Sequence, residues 1–231
     1  MNICIIPARG GSRRIPGKNI KQFHGKPMIA WSIEAAIKSE CFDRIICSTD
    51  DEEIATVAKR YGAEIPFLRP KSLSDDYTAT TAVISHAIEF LQKNETGIDL
   101  VCCIYATAPF IQSEDIKKSL KQIKKENTDY CFSVTNYSFP IQRSIRITKE
   151  KRCEMFQPEM YNKRSQDLEE AYHDAGQFYW GKTSAWVENT GIFLQNSSPY
   201  ILPRYRVQDI DVEEDWVRAE LMFSMLLLNN L

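Results

Sequence analysis

Apolar residues along the chain fall into two alternating patterns. Short apolar runs bounded by turn residues lie at 2–6, 43–48, 64–68, 99–105 and 130–135. Runs of this length and composition predict buried strands. Between them, apolar residues recur at helical spacing. Pro27 opens a helix with Met28, Trp31 and Ala35 on one face. Ser48-Thr49-Asp50-Asp51 caps a second helix, which carries Ile54, Val57, Ala58 and Tyr61 and stops at Gly62. A third carries Val83, Ile84, Ala87, Ile88 and Leu91, and a fourth starts near Ser113-Glu114-Asp115. Strands alternating with helices predict an α/β fold, a mostly parallel sheet covered on both faces in three α/β/α layers.

The pattern fails over 136–172. A strand fits 144–148, but 152–170 has no clean period. The stretch is too long for an ordinary connection and reads as an arm or a subunit contact. Regularity returns with strand signals at 177–180, 200–202 and 205–210 and a short helix at 183–187. A last helix starts near Glu213 and carries Trp216, Val217, Glu220, Leu221 and Ser224. No repeat or low-complexity linker divides the chain, so 1–231 reads as one domain with 136–172 as an insertion.

Composition narrows the function. A chain of 231 residues, 43% hydrophobic and 26% charged, suits one sizeable soluble domain. A net charge of -2 argues against a nucleic-acid binder, which is usually strongly basic. Ser224 interrupts the longest apolar stretch, which falls short of the ~20 residues that span a membrane. The run at 3–6 is too short for a signal peptide. Seven cysteines show no CxxC pair and no zinc-like spacing with the three histidines. They read as free thiols in a reducing cytoplasm.

The basic charge is concentrated where the first strand ends. Residues 7–19 read Pro7-Ala8-Arg9-Gly10-Gly11-Ser12-Arg13-Arg14-Ile15-Pro16-Gly17-Lys18-Asn19. Glycines let a phosphate approach the backbone, and four cations within ten positions repel one another unless an anion joins them. The segment fits neither GxGxxG nor the Walker pattern, but it leaves a strand at the end where α/β sheets bind ligands. A nucleoside triphosphate is the expected ligand.

This segment resembles the signature of the CMP-sialic acid synthetases, the cytidylyltransferases acting on nonulosonic acids. The likeness continues through Arg69-Pro70 with Leu73-Ser74-Asp75-Asp76, Thr107-Ala108-Pro109, and Asp209-Ile210-Asp211. It implies a nucleotidyltransferase fold of the nucleotide-diphospho-sugar transferase type. It also implies Mg²⁺-dependent transfer of CMP from CTP and a homodimer in which 136–172 is the dimerisation arm. Carried over residue by residue, Ala8, Arg9, Gly10, Gly11, Ser12 and Asn19 bind the nucleotide, with Arg69 and Thr80 near the cytosine. Arg9, Arg13 and Lys18 act on the phosphates. On residue type alone, Arg69 reads as a surface ion pair.

Asp209 and Asp211 stand one residue apart at an apparent strand end, where alternation puts both on one side. They read either as Mg²⁺ ligands or as exposed aspartates with Asp211 capping the next helix. The resemblance favours the metal. Tyr105-Ala106 stands where the family usually has Gln-Pro. Together with His173-Asp174-Ala175-Gly176-Gln177-Phe178-Tyr179-Trp180-Gly181, it looks most like the branch acting on pseudaminic acid, a sugar of bacterial surface glycans. The implied sugar contacts are Tyr105, Thr107, Gln177 and Tyr179, with Arg143 or Arg164 for the carboxylate. Transfer to N-acetylneuraminic, legionaminic or 3-deoxy-manno-octulosonic acid stays open, as does a non-catalytic nucleotide-binding regulator.

Overall fold

In the computed structural model, which describes residues 1–229, the chain opens with β1 (Asn2–Pro7). Its side chains divide by parity: Cys4 and Ile6 enter one core cluster, Ile3 and Ile5 another. A strand apolar on both faces must be covered on both sides. A small hairpin, β2 (Gln22–Phe23) with β3 (Lys26–Pro27), leads into α1 (Met28–Ser39). Next, β4 (Arg44–Ser48) lies parallel to β1. Asp51 then caps α2 (Glu52–Arg60), and Gly62, at φ +101°, turns the chain beyond it. The helix α3 (Thr80–Gln92) buries Val83, Ile84, Ala87, Ile88 and Leu91. It precedes β5 (Leu100–Ile104), wholly buried and parallel to β1 on its other side. Then come α4 (Ser113–Glu126) and β6 (Tyr130–Asn136).

Beyond β6, the pair β7 (Ile145–Ile147) and β8 (Cys153–Met155) forms a separate two-stranded ribbon. The long β9 (Tyr172–Lys182) runs antiparallel between β5 and β6. It is followed by α5 (Thr183–Glu188), β10 (Ser197–Ile201) parallel to β6, and α6 (Glu213–Asn229). The sheet order is β10-β6-β9-β5-β1-β4, and β9 alone opposes the other five strands. Residues of α1, α2 and α4 pack on one face, and α3 and α5 on the other. The three-layer, mostly parallel α/β architecture expected from the pattern is the one observed.

Three expectations need correction. Residues 64–68 form no strand; Glu64 makes one isolated bridge to Ile46, and Pro66 has no N–H to continue a ladder. Residues 205–210 form no strand either. A 3₁₀ turn, Arg204–Arg206, follows Pro203, so Asp209 and Asp211 sit in an irregular segment and strand alternation does not relate them. The strand foreseen at 177–180 extends over Tyr172–Lys182.

Cys4, Cys47, Cys102, Cys103 and Cys131 are buried free thiols, and burial pushes Cys47 up to about 12. Such thiols stay protonated and unreactive. Among the described residues no helix is long and apolar enough to cross a membrane.

Candidate active site

Because β1, β4 and β5 run parallel, their carboxyl ends lie on one side, and the segments leaving them meet there. They enclose a cavity of about 580 Å³. Arg9, Ser12, Arg13, Arg14, Lys18 and Asn19 form one wall. Arg69, Asp75, Asp76 and Thr80 border it from the segment between α2 and α3 and the start of α3. Tyr105, Ala106 and Thr107 come from the end of β5, and Asp211 from before α6.

The cationic loop is held by an apolar peg. Ile15 is fully buried with Phe23, Met28, Phe110, Ile210 and Trp216. Asn19 Nδ2 donates to the Arg9 carbonyl at 2.9 Å and closes the loop on itself. The N–H of Gly10 donates to Asp50 Oδ1 at 3.1 Å, so it faces the protein's own carboxylate. Ala8 is buried beneath the loop, its N–H donating to the Ser48 carbonyl at 2.9 Å. Neither these two residues nor exposed Gly11 borders the cavity. Ala8 and Gly10 thus hold a supporting place under the loop.

The loop cations share two carboxylates. Arg9 Nη1 lies 2.5 Å from Asp76 Oδ1, and Arg13 Nε 3.4 Å from Asp76 Oδ2. Arg14 Nη2 is 3.0 Å and Lys18 Nζ 3.4 Å from Asp211 Oδ1. Lys18 also donates to the Ile210 carbonyl at 2.5 Å. The hydrogen bond from Arg9 holds the Asp76 carboxyl below its ordinary range. Four cations against two anions leave the wall positive, and partly solvated pairs can be exchanged for a polyanion.

Arg69 is not the surface ion pair its residue type suggests. Its side chain is 3% exposed, with Nη2 3.6 Å from Asp50 Oδ1. Nε donates to Ser74 Oγ at 3.2 Å, while Nη2 is buried without a hydrogen-bond partner. Burial lowers its pKa, and Asp50 partly restores it. A desolvated donor bordering a cavity fits the acceptors of a base edge. Nearby, Thr80 Oγ1 and Tyr105 Oη are 3.2 Å apart, and burial pushes the tyrosine up to about 12, so it stays a hydroxyl donor.

Three residues expected at the sugar do not border this cavity. Gln177 is buried, its Nε2 donating to the Arg206 carbonyl at 2.5 Å. Tyr179 is buried, and its hydroxyl donates to Asp174 Oδ2 at 2.6 Å. The Tyr179 hydroxyl and Gln177 Nε2 are thus engaged inside the protein, while Gln177 Oε1 is buried without a hydrogen-bond partner. Arg143 lies in the arm, donating to the Lys163 carbonyl and bordering a second cavity with His173 and Arg218.

Asp209 is exposed and does not border the cavity, and partial desolvation followed by the charge of Asp211 raises its carboxyl above the ordinary range. Asp211 at the cavity, with Asp209 two residues before it, offers carboxylate oxygen to a divalent cation that takes its remaining oxygens from phosphates. Among the described residues no cluster of three or more His, Cys, Asp or Glu side chains could hold a metal by itself. Asp50 and Asp76 escaped the sequence reading: Asp50 adjoins the helix cap and was absorbed into it, and Asp76 was matched only as half of a motif.

Residues 3–226 match the family described as Cytidylyltransferase. The chain is 47% identical to the pseudaminic acid cytidylyltransferase of Campylobacter jejuni subsp. jejuni serotype O:2, covering 97% of each chain. It is 33% identical to the CMP-N,N'-diacetyllegionaminic acid synthase of Legionella pneumophila, covering 96% of each. A solved structure of CMP:2-keto-3-deoxy-manno-octonic acid synthetase complexed with CTP shares the fold, with TM-score 0.70, 16% identity and coverage of 97% and 98%. The resemblance read from the opening loop is borne out, and the chain belongs to the cytidylyltransferase family, enzymes that transfer a cytidylyl group.

Proposed function

We propose that this chain transfers CMP from CTP to the anomeric C2 hydroxyl of pseudaminic acid and releases pyrophosphate. The observation that carries the reading is the cavity with Arg9, Arg13, Arg14 and Lys18 on one wall and the desolvated Arg69 on another. Such a cavity suits a triphosphate joined to a base. The choice of sugar is supported by the relatives named for pseudaminic acid, at 47% identity, against 33% for the legionaminic one.

The residues act mainly by positioning and by neutralising charge. Arg9, with Ser12 and Asn19, orients the α-phosphate and ribose, and Arg69 and Thr80 meet the cytosine. Arg13 and Lys18 stabilise the charge that collects on pyrophosphate when the bond between the α-phosphorus and the bridging oxygen breaks. Arg14 and Lys18 leave Asp211 as they turn to the phosphates, which frees that carboxylate beside Asp209 for Mg²⁺. The cation would supply neutralisation of the α-phosphate and acidify the attacking hydroxyl. Tyr105 and Thr107 border the acceptor side. The arm 136–172 joins two copies in a cytoplasmic homodimer, and Arg143 serves the partner's sugar carboxylate.

The test supplies CTP, Mg²⁺ and a panel of nonulosonic acids and follows pyrophosphate release. Release with pseudaminic acid is expected. Release only with neuraminic, legionaminic or octulosonic acids would overturn the sugar, and release with none would overturn the reaction. Asp211→Ala should stay folded and lose Mg²⁺-dependent turnover, and full turnover at saturating CTP and Mg²⁺ would sink the metal assignment.

A further inference from the structure

Outside the cavity, Arg206 and Asp115 form an ion pair with Nη1 2.5 Å from Oδ2 and each side chain 9% exposed. Removing two charges from water is costly, and apolar residues of similar volume often stabilise a fold as well. The pair's role is therefore sought in what it holds. Asp115 lies in the first turn of α4, and its Oδ1 accepts the hydroxyl of Tyr200 in β10 at 3.0 Å. Arg206 closes the 3₁₀ turn before the aspartate segment, and its carbonyl accepts Gln177 Nε2 from β9 at 2.5 Å. Thus α4 fixes the Arg206 side chain while β9 fixes its backbone.

The other end of the segment is held as well. Ile210 is fully buried, and its carbonyl accepts Lys18 Nζ. Asp215 Oδ2 accepts the N–H groups of Asp211 and Val212 at 3.0 and 2.9 Å. Only residues 207–209 separate the two anchors, which therefore lie at most about 14 Å apart at full extension. So short a tether transmits any movement of Arg206 to Asp209 and to the carbonyl that receives Lys18.

We infer that Asp115 and Arg206 are a positioning pair that fixes where Asp209, Asp211 and Lys18 stand around the substrate. Neither borders the cavity, so neither is a catalytic residue. The inference rests on the proposed cation-holding role of Asp209 and Asp211 and on the phosphate role of Lys18. Neutralising both partners together leaves the net charge unchanged, so an altered site then reports altered placement.

The experiment uses the full chain carrying Asp115→Asn with Arg206→Met, which keeps an acceptor for Tyr200. Mn²⁺ affinity is read by electron paramagnetic resonance with CTP present, alongside KM for CTP and the melting temperature. Loss of supporting contacts around a metal site typically weakens metal binding by about 10- to 100-fold. The expected result is a fall in that range with a raised KM for CTP in a protein that still melts cooperatively. If the double variant does not fold, Tyr200→Phe, which removes one hydrogen bond from Asp115, should shift both readouts less but in the same direction. A folded variant with unchanged Mn²⁺ affinity and unchanged KM overturns the inference. Asp211→Ala separates the two readings. If it binds Mn²⁺ normally, the metal assignment has failed, and the pair is then judged through Lys18 by KM for CTP alone.

Discussion

A Cβ built onto Gly10 would lie 2.6 Å from Asp51 Oδ2 and 2.9 Å from Asp51 Cβ, whereas one on Gly11 meets nothing within 4 Å. Asp51 cannot readily yield, because its Oδ1 already accepts the N–H groups of Glu53 and Ile54, both at 2.9 Å. Gly10→Ala should therefore cost about 1–3 kcal/mol of stability. Gly11→Ala should stay within about 0.5 kcal/mol of the parent and change CTP binding little, since Gly11 is exposed, meets nothing within 4 Å and does not border the cavity. Melting curves and CTP titrations of both variants check this, and equal melting temperatures would refute the packing argument. The glycine-rich stretch was visible in the sequence, but what each glycine approaches was not. Close approach is a tertiary fact: Gly10 meets its own chain, and an identical neighbour faces outward. The same limit hid Arg69, whose burial depends on Asp50 and Ser74 being folded against it.

At the level of elements, the two aspartates after β4 divide the work that sequence assigned to a single cap. Asp51 caps α2, while Asp50 receives the Gly10 N–H and faces Arg69. Asp51→Ala should lower stability by about 1 kcal/mol, the ordinary value of an N-cap, with CTP affinity changing little. Asp50→Ala should instead weaken CTP binding out of proportion to its effect on melting, because it leaves a buried guanidinium without its counter-charge and releases the loop. Denaturant melts paired with CTP titrations separate the two, and matching profiles would count against the division. Alternating strands and helices were legible because each buries a face set by its own period. The exceptions have local causes. The apolar run at 64–68 contains Pro66, and the run at 205–210 follows Pro203 and begins in a 3₁₀ turn. The length of β9 was masked by Gly176 at φ +62° and by a register shift between Phe132 and Val134 on its neighbour. Its reversed direction has no signature in composition at all.

For the whole molecule, the alternation foretold where the cavity would open, since parallel strands deliver their loops to one end. It also marked 136–172 as an insertion, yet one chain's sequence cannot say what covers it. There Phe139, Ile147, Phe156 and Tyr161 are 82%, 75%, 61% and 72% exposed. The ribbon of β7 and β8 has only two strands, and a lone two-stranded ribbon is marginal in water. So much large apolar surface in one region marks an interaction site. If that site is a second copy of the chain, light scattering should give twice the monomer mass, and Ile147→Asp with Phe156→Ser should shift the mass toward the monomer. Turnover should fall with the dimer fraction, because Arg143 is proposed to serve the neighbouring cavity. Mixing an Arg143→Ala protein with an Asp211→Ala protein, both with the apolar arm intact, probes the sharing directly. Each lacks a different part, so if arms act across the interface, mixed dimers should recover some of the activity that neither variant shows alone. A monomer of the parent protein with full turnover would remove both the dimer and the borrowed arginine. A dimer whose arm variant is monomeric yet fully active would keep the interface and discard only the sharing.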